Sequence, residues 1–189
     1  GISEAGISKD GGGLVIGAMT THAEVERSSL IQKQLPALSL LAGGIGDRQV
    51  RNCGTIGGSI ANNDPAACYP AALLALAAQI TTNKRTLLAD DYFTGMFETA
   101  LAEDEIITEI SFPKTHKASY AKFANPASRY AMVGVFIAQT DVGGLRVAIT
   151  GAGQDGVFRH QGLEEALSQS FNAAAIDAAA IEDSELMSD

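Results

Sequence analysis

The sequence has no tryptophan, only two cysteines, and fewer basic than acidic residues. Thirteen Lys and Arg against 22 Asp and Glu give a formal net charge of −9. Surfaces that bind nucleic acid or anionic membranes need clustered basic side chains, so this balance argues against both kinds of partner. No run of about eighteen uninterrupted apolar residues occurs, and no basic segment precedes an apolar run near the start. We therefore expect a cytoplasmic protein without a membrane span.

The few residues with metal-binding or nucleophilic chemistry are scattered along the chain. Cys53 and Cys68 lie in one Gly- and Ala-rich stretch without CxxC spacing. Free thiols are the expected state, and a disulfide between them is the less favoured alternative. The histidines His22, His116 and His160 lack metal-ligand spacing, and we expect His22 on an exposed helix face. We predict neither a metal site nor a catalytic side chain.

The first part of the chain alternates between helix and strand patterns. Residues 14–18 form an apolar run of strand length, and Thr21 to Glu24 form a capping box that begins a helix. Residues 35–41 predict a buried helix that ends at Gly43 and Gly44, before a turn-rich region over 45–59. The remaining predictions are a helix over 70–78 with a start capped by Asn62, Asn63 or Asp64, two strands within 79–88 around Asn83-Lys84, a helical turn at Asp90-Asp91, and a strand over 106–112.

Strand patterns followed by helix patterns make up the rest of the chain. Strands are predicted over 120–124, 133–140 and 145–150, with a hairpin at Gly143-Gly144. Helices are predicted over 163–167 and 173–181. This order predicts an antiparallel sheet backed by helices, so we expect an α+β protein.

One glycine-rich segment, Gly54-Thr55-Ile56-Gly57-Gly58-Ser59, stands out as a candidate anion site. Adjacent glycines let backbone N–H groups converge on an anion, and Thr55 and Ser59 add hydroxyl donors. A diphosphate group needs this combination. The segment matches neither GxGxxG nor GxxxxGK[ST], however, so a purely structural tight turn is also consistent with the residues alone.

The surroundings of this segment carry a family resemblance. Residues 51–76, RNCGTIGGSIANNDPAACYPAALLAL, resemble the second flavin-binding segment of the FAD-binding (medium) subunit in the carbon monoxide dehydrogenase and xanthine oxidase family of molybdenum hydroxylases. Essentially the whole chain resembles this family. The further matching segments, in the family's order, are TTHAEV at 20–25, ADDYFTG at 89–95, EIITEI at 105–110, YAKF at 120–123 and SRYA at 128–131.

The resemblance implies a fold, a cofactor and partners. Residues 1–113 are expected to form the second lobe of a vanillyl-alcohol-oxidase-like FAD-binding domain, and residues 114–189 part of a small C-terminal domain of carbon monoxide dehydrogenase flavoprotein type. The implied role is FAD-dependent electron transfer, from [2Fe-2S] clusters of a small partner subunit to an external acceptor. The molybdenum cofactor is expected on a large partner subunit, which also sets the substrate.

The resemblance also assigns cofactor-binding residues. It places the diphosphate of FAD at Thr55, Ile56, Gly57, Gly58 and Ser59. It places Ile45 beside the adenine, and Leu101 or Ile107 beside the flavin ring.

Two assignments in this set stay open. Many relatives have an Asp that contacts the cofactor where this chain has Cys68, and a thiol accepts hydrogen bonds poorly. Either that contact is lost, or Asn63 and Asp64 supply the polarity. Lys122 lies in the segment where the family has a Lys near the flavin, but its register is ambiguous, so a solvated surface Lys is the alternative.

The family's earlier Gly-rich segment, similar to Ala-Gly-Gly-x-Ser, does not occur in this sequence. We therefore expect a chain truncated at both ends that binds FAD weakly or not at all and is inactive alone. Two other functions remain open: a non-catalytic assembly module with a decayed flavin site, and a stand-alone flavin oxidoreductase.

Overall fold

The protein is described by a computed structural model that covers residues 5–179 and 186. The strands in this part of the chain are β1 (Ile7–Asp10), β2 (Gly13–Gly17), β3 (Gln79–Thr82), β4 (Thr86–Leu88), β5 (Phe93–Gly95), β6 (Glu98–Thr99), β7 (Ile107–Phe112), β8 (Thr115–Ala124), β9 (Ala131–Thr140), β10 (Gly144–Thr150) and β11 (Phe158–Arg159). The helices are α1 (His22–Arg27), α2 (Ser29–Gln34), α3 (Pro36–Gly43), α4 (Arg48–Cys53), α5 (Ile56–Asn62), α6 (Tyr69–Ala75), α7 (Ala89–Tyr92), α8 (Gln161–Gln169) and α9 (Ala173–Ala178).

The strands form two main antiparallel sheets, which makes the fold α+β as predicted. The first sheet has the order β1-β2-β7-β3-β4, and the second has the order β11-β10-β9-β8. A two-stranded ribbon of β5 and β6 lies beside them. Among the described residues, no helix is both long and apolar enough to cross a membrane.

Helix α6 joins the two sheets into one packed structure. All seven of its residues are buried, and it packs against α5, β9 and β10. A single hydrophobic cluster therefore contains Ile16 and Leu73 together with Tyr120 and Phe136 of the second sheet. Because the core is shared, a cavity between the two sheets has fixed walls on both sides.

Most element predictions are confirmed, and their physical causes are visible. Thr21 and Glu24 form the predicted capping box at α1, and the predicted buried helix is α3, which ends with Gly44 as its C-cap. The hairpin at Gly143-Gly144 joins β9 to β10, and Gly144 has a φ of 63°. The strand predicted over 120–124 is longer, because β8 already begins at Thr115.

The prediction of a turn-rich region over 45–59 is wrong, because this region contains two short helices. Asp47 caps α4 by accepting the Val50 N–H at 2.8 Å. Thr55 caps α5 through its side chain, so Gly57 and Gly58 are helical.

The predicted cap of the next helix is also wrong. Helix α6 begins at Tyr69, and its N-cap Cys68 makes no side-chain capping bond. Asn63 instead ends α5 in a left-handed conformation with a φ of 43°, and Asp64 accepts the Ala66 N–H. The helix predicted over 173–181 is observed as α9, which ends at Ala178; residues 180 and 181 lie outside the described residues.

Candidate functional site

A cavity of about 440 Å³ lies between the helices that surround the glycine-rich segment and the second sheet. This volume falls in the range of small-molecule sites. One wall, the glycine wall, is formed by lining residues between Ile45 and Cys68, and the facing wall, the basic wall, by Lys122, Ser128, Arg129 and Tyr130. The complete lining is His22, Ile45, Gly46, Val50, Cys53, Gly54, Thr55, Gly58, Ser59, Asn62, Asp64, Ala66, Ala67, Cys68, Lys122, Ser128, Arg129 and Tyr130.

More than half of the sequence-predicted site residues meet in this cavity. The ones that line it are Ile45, Thr55, Gly58, Ser59, Asp64, Cys68 and Lys122. Lys122 therefore faces the cavity across from the glycine-rich segment.

The other predicted residues do not line the cavity. Ile56 is fully buried in the core, and Ile107 is buried in β7. Leu101 packs against the same core. The Asn63 side chain donates to the carbonyls of Gly95 and Glu98, at 2.8 Å each. These residues hold the fold around the cavity, and a direct cofactor contact for them stays a prediction.

Gly57 is also absent from the lining, because it packs against β2. A Cβ atom added at Gly57 would lie 2.6 Å from the Ala18 Cβ and 2.7 Å from the Ala18 carbonyl oxygen. Real side chains never approach that closely. Gly57 is therefore required for the contact between α5 and the end of β2.

The expectation that this segment presents free backbone N–H groups to an anion is wrong. The segment is the first turn of a helix, and its donors are satisfied inside the chain. The N–H groups of Ile56, Gly57 and Gly58 donate to the Thr20 carbonyl, the Ala18 carbonyl and the Thr55 hydroxyl, at 3.0, 2.8 and 3.1 Å. Side chains must therefore supply most of the polar contacts to any ligand.

The basic wall supplies positive charge to the cavity. Lys122 donates to the carbonyls of Gly44 and Arg129, the latter at 3.0 Å. Arg129 has a φ of 62° and donates to the Gly46 carbonyl at 3.4 Å. These bonds tie the turn between β8 and β9 to the glycine wall. Two cations therefore face one carboxylate, that of Asp64, among the cavity-lining residues.

Cys68 lies at the back of the cavity, against Lys122. Its Sγ is 3.6 Å from the Lys122 Nζ. The thiol is 5% exposed, whereas Cys53 on the same wall is exposed, and both cysteines are free. The predicted free-thiol state is thus confirmed.

The expectation that His22 lies on an exposed helix face is wrong. His22 is buried, and its ring packs against Tyr69 in a tilted arrangement with 5.4 Å between ring centroids. Burial, and next the positive charge of Arg51, lowers the pKa of His22 to about 4. Its Nδ1 has no hydrogen-bond partner within the described part of the chain. At neutral pH the cavity floor is therefore an uncharged ring.

The lining residues that sequence reasoning missed include His22, Arg129 and Tyr130. A signal existed for the last two, because SRYA at 128–131 is one of the segments that resemble the family. No periodicity indicates His22, since a single buried histidine in a six-residue helix leaves no pattern. In residues 5–179 and 186, no cluster of three or more His, Cys, Asp or Glu that could hold a metal ion is found.

Several acidic residues outside the cavity have structural partners. Arg85 binds Glu105 in a two-point ion pair, and hydrogen bonds from Arg85, Ala102 and Thr82 lower the pKa of Glu105 to about 2. Asp90 pairs with Arg146 and Arg159, at 2.7 and 2.9 Å. These carboxylates stabilise the packing of the sheets and lie apart from the cavity.

Comparison with known proteins identifies the family of this chain. Residues 2–115 match the family described as the FAD binding domain in molybdopterin dehydrogenase. The carbon monoxide dehydrogenase medium chain of Hydrogenophaga pseudoflava is 33% identical over 186 residues, which cover 93% of this chain and 65% of the relative. The nicotine 6-hydroxylase medium subunit of Paenarthrobacter nicotinovorans is 37% identical over 145 residues, which cover 72% of this chain and 51% of the relative.

Solved structures agree with the sequence relatives. Carbon monoxide dehydrogenase from Hydrogenophaga pseudoflava superposes with a TM-score of 0.86 at 33% identity, over 94% of this chain and 66% of that chain. Quinoline 2-oxidoreductase from Pseudomonas putida 86 gives a TM-score of 0.78 at 26% identity, over 87% of this chain and 61% of that chain. The chain thus spans between half and two thirds of the length of these relatives. It belongs to the family of FAD binding domains in molybdopterin dehydrogenases, with the fold of a carbon monoxide dehydrogenase medium subunit.

Proposed function

We propose that this chain is the FAD-carrying part of an electron-transfer subunit in a cytoplasmic molybdenum hydroxylase. Electrons pass from [2Fe-2S] clusters of a small partner subunit through FAD to an external acceptor, and a large partner subunit holds the molybdenum cofactor. The relatives support this role, since several are medium chains or subunits of dehydrogenases and hydroxylases and one is an FAD-binding subunit of xanthine dehydrogenase. Residues 1–113 and 114–189 are proposed as its two domain parts.

The observation that carries the proposal is the lining of the 440 Å³ cavity. A flavin nucleotide needs apolar surface for its planar rings and cationic or hydroxyl donors for its diphosphate. Ile45, Val50 and Tyr130 provide apolar surface, and Lys122 and Arg129 provide the charge. The donor set therefore fits one side of an FAD site.

The side chains at the start of α5 complete the polar contacts. The Thr55 Oγ1 accepts the Gly58 N–H at 3.1 Å, which leaves its own hydroxyl hydrogen to donate to a ligand. Ser59 lies one turn and Asn62 two turns further along the same helix, and both also line the cavity. Thr55 thus both fixes the helix and faces the diphosphate.

FAD, when bound, supplies the redox chemistry through its isoalloxazine ring. The residues of this chain bind and orient the nucleotide, and no side chain acts as an acid or base. Lys122 and Arg129 neutralise the diphosphate charge. The uncharged His22 and the apolar lining limit water at the cavity floor, which strengthens the electrostatic contacts made there.

Reconstitution of the complete subunit tests the proposal. The subunit, expressed from its full reading frame, is mixed with FAD, and then with a reduced iron-sulfur partner subunit under anaerobic conditions. We expect stoichiometric FAD binding and bleaching of the flavin absorbance only when the reduced partner is present. Bound flavin that turns over substrate without any partner would instead indicate a stand-alone flavin oxidoreductase.

One observation favours a second function, a non-catalytic assembly module. The N–H groups of the first turn of α5 are satisfied within the chain. In addition, Cys68 occupies the position where many members of the resembled family have an Asp. Failure of the complete subunit to bind FAD, combined with retained binding to the large partner subunit, would select this second function.

A further inference from the structure

The cavity contains a thiol and an amine in contact. The Lys122 Nζ lies 3.6 Å from the Cys68 Sγ, and both residues line the cavity. Cys68 is held at the start of the buried helix α6, and Lys122 is held on β8 of the second sheet. Because both elements belong to one hydrophobic core, the contact follows from the fold rather than from a mobile side chain.

Within residues 5–179 and 186, the Lys122 ammonium group has no acidic partner. Its other two hydrogen bonds go to the backbone carbonyls of Gly44 and Arg129, and within the described part of the chain it forms no ion pair. Among the described residues, the Cys68 sulfur is therefore the one side-chain atom that accepts a hydrogen bond from this cation. A neighbouring ammonium stabilises the negative charge that a sulfur atom develops when it attacks an electrophile.

Two buried tyrosine hydroxyl groups, those of Tyr69 and Tyr120, interact electrostatically with the Cys68 thiol. The Oη atoms of Tyr69 and Tyr120 are buried, and neither makes a well-formed hydrogen bond within the described part of the chain. Tyr120 is 8% exposed. Burial, and next the Cys68 thiol, raises the pKa of Tyr120 above its ordinary value, so its hydroxyl stays protonated. Buried polar atoms normally have partners, and this phenol is placed to donate to an oxygen atom on the sulfur.

We propose that Cys68 and Lys122 form a reversible oxidative crosslink. In the first step hydrogen peroxide, a product of flavin reoxidation by dioxygen, oxidises the thiol: Cys68–SH and H₂O₂ give Cys68–SOH and H₂O. In the second step the Lys122 ammonium group gives one proton to solvent water, and the resulting amine attacks the sulfur. An S–N bond forms, the S–O bond breaks, a second N–H proton passes to the leaving oxygen, and water leaves. The product is a sulfenamide that has lost two hydrogen atoms relative to the reduced pair. Two equivalents of an external thiol restore Cys68 and Lys122 and become a disulfide.

The crosslink changes the charge of the cavity. A sulfenamide nitrogen carries no positive charge, so the basic wall keeps Arg129 alone. This consequence rests on the proposed function: if the cavity holds FAD, the crosslinked subunit loses affinity for it, and bound FAD shields Cys68 from peroxide. Accumulated peroxide would thus act on FAD-free subunits and block their loading.

Peptide mapping of the complete subunit tests the crosslink directly. FAD-free protein is treated with hydrogen peroxide, unfolded, blocked with an alkylating reagent and digested with trypsin without reductant. We expect the peptide 52–84 to be joined to the peptide 118–129, because trypsin does not cleave after a modified Lys122. The mass of the linked species should be two hydrogen atoms below the sum of the two peptide masses. Dithiothreitol before digestion is expected to remove the linked species.

Matched variants give the controls. Cys68→Ser removes the sulfur, and Lys122→Arg keeps the cation but removes the amine, so the linked peptide should be absent from both. Cys53→Ser removes the exposed thiol on the same cavity and should leave the link unchanged. The proposal is overturned if peroxide oxidises Cys53 while Cys68 stays a free thiol, or if Cys68 proceeds to sulfinic acid without any linked peptide.

An FAD titration of the same samples separates this inference from the proposed function. Reduced protein that binds FAD, beside crosslinked protein that does not, supports both. Equal FAD binding by the two samples contradicts the effect on cofactor loading. If neither sample binds FAD but the linked peptide is present, the proposed function fails and the crosslink stands.

Discussion

The two walls of the cavity differ in how they are made and in what they contribute. The glycine wall has the more conspicuous sequence, yet its helix donors are satisfied internally, and Gly57 is committed to packing against Ala18. The basic wall comes from a strand and a turn of the second sheet, and it contributes Lys122 and Arg129. The glycines therefore shape the site, and its positive charge comes from a distant part of the chain.

The largest effect is expected at Gly57, where a substitution tests whether the glycine is needed for packing. Gly57→Ala places a Cβ atom 2.6 Å from the Ala18 Cβ, so α5 must shift. We expect a loss of about 1–3 kcal/mol in the free energy of unfolding, as in other overpacked cores. Gly58→Ala is the control, because its nearest neighbour would be the Thr55 Oγ1 at 3.1 Å. Denaturant unfolding measures both, and a Gly57→Ala protein as stable as the parent would contradict the packing role.

Arg129 tests whether charge on the basic wall matters for FAD. A charge-assisted hydrogen bond contributes about 1.5–3 kcal/mol, so Arg129→Gln should weaken FAD binding by about tenfold or more. Arg48 lies exposed on α4, next to the glycine wall but outside the cavity, and Arg48→Gln is the matched control. Quenching of flavin fluorescence measures both affinities. Equal losses of FAD affinity in Arg129→Gln and Arg48→Gln would mean that Arg129 contributes only long-range electrostatic attraction.

Thr55 belongs to the glycine wall, where its side chain both caps α5 and lines the cavity. Its hydroxyl accepts the Gly58 N–H, so Thr55→Ala should destabilise the protein by about 1 kcal/mol. Thr55→Ser keeps the cap and should restore most of that stability. Thermal unfolding is the measurement, and an unchanged midpoint in Thr55→Ala would show that the cap is dispensable.

The effect at His22 depends on pH. Its pKa is lowered from 6.5 to about 4 in the folded state. Unfolding therefore takes up a proton between these values, and stability falls as the pH is lowered from 6.5 to 4. His22→Phe keeps an aromatic ring against Tyr69 but does not titrate, so its stability should fall less over this interval. Parallel pH dependences for the two proteins would contradict this account of His22.

Local sequence signals predicted most of the fold. Capping residues such as Thr21, turn glycines such as Gly144 and the apolar run at 14–18 act within a few residues, and the structure confirms what they indicate. The failures have a common physical cause. The region over 45–59 is glycine-rich, but Asp47 and Thr55 cap helices there whose stability comes from tertiary contacts.

The candidate site was predicted in part, and the missing part is non-local. Thr55, Ser59 and Cys68 were identified through the resemblance of one continuous segment. Arg129 and Tyr130 reach the cavity only because β8 packs against α3 and the following turn folds over it. No pattern in residues 45–68 indicates which later residues will face them, so the second wall requires the structure.

Titration of FAD into the complete subunit with Lys122 replaced tests the central claim most directly. Lys122→Gln removes the cation that faces the glycine wall, and Lys117→Gln removes a cation from an exposed position on the same strand. Isothermal titration calorimetry of the parent and both variants gives the three dissociation constants. The account predicts a dissociation constant about 10–100-fold higher for Lys122→Gln and an unchanged one for Lys117→Gln. Unchanged FAD binding in Lys122→Gln would contradict it.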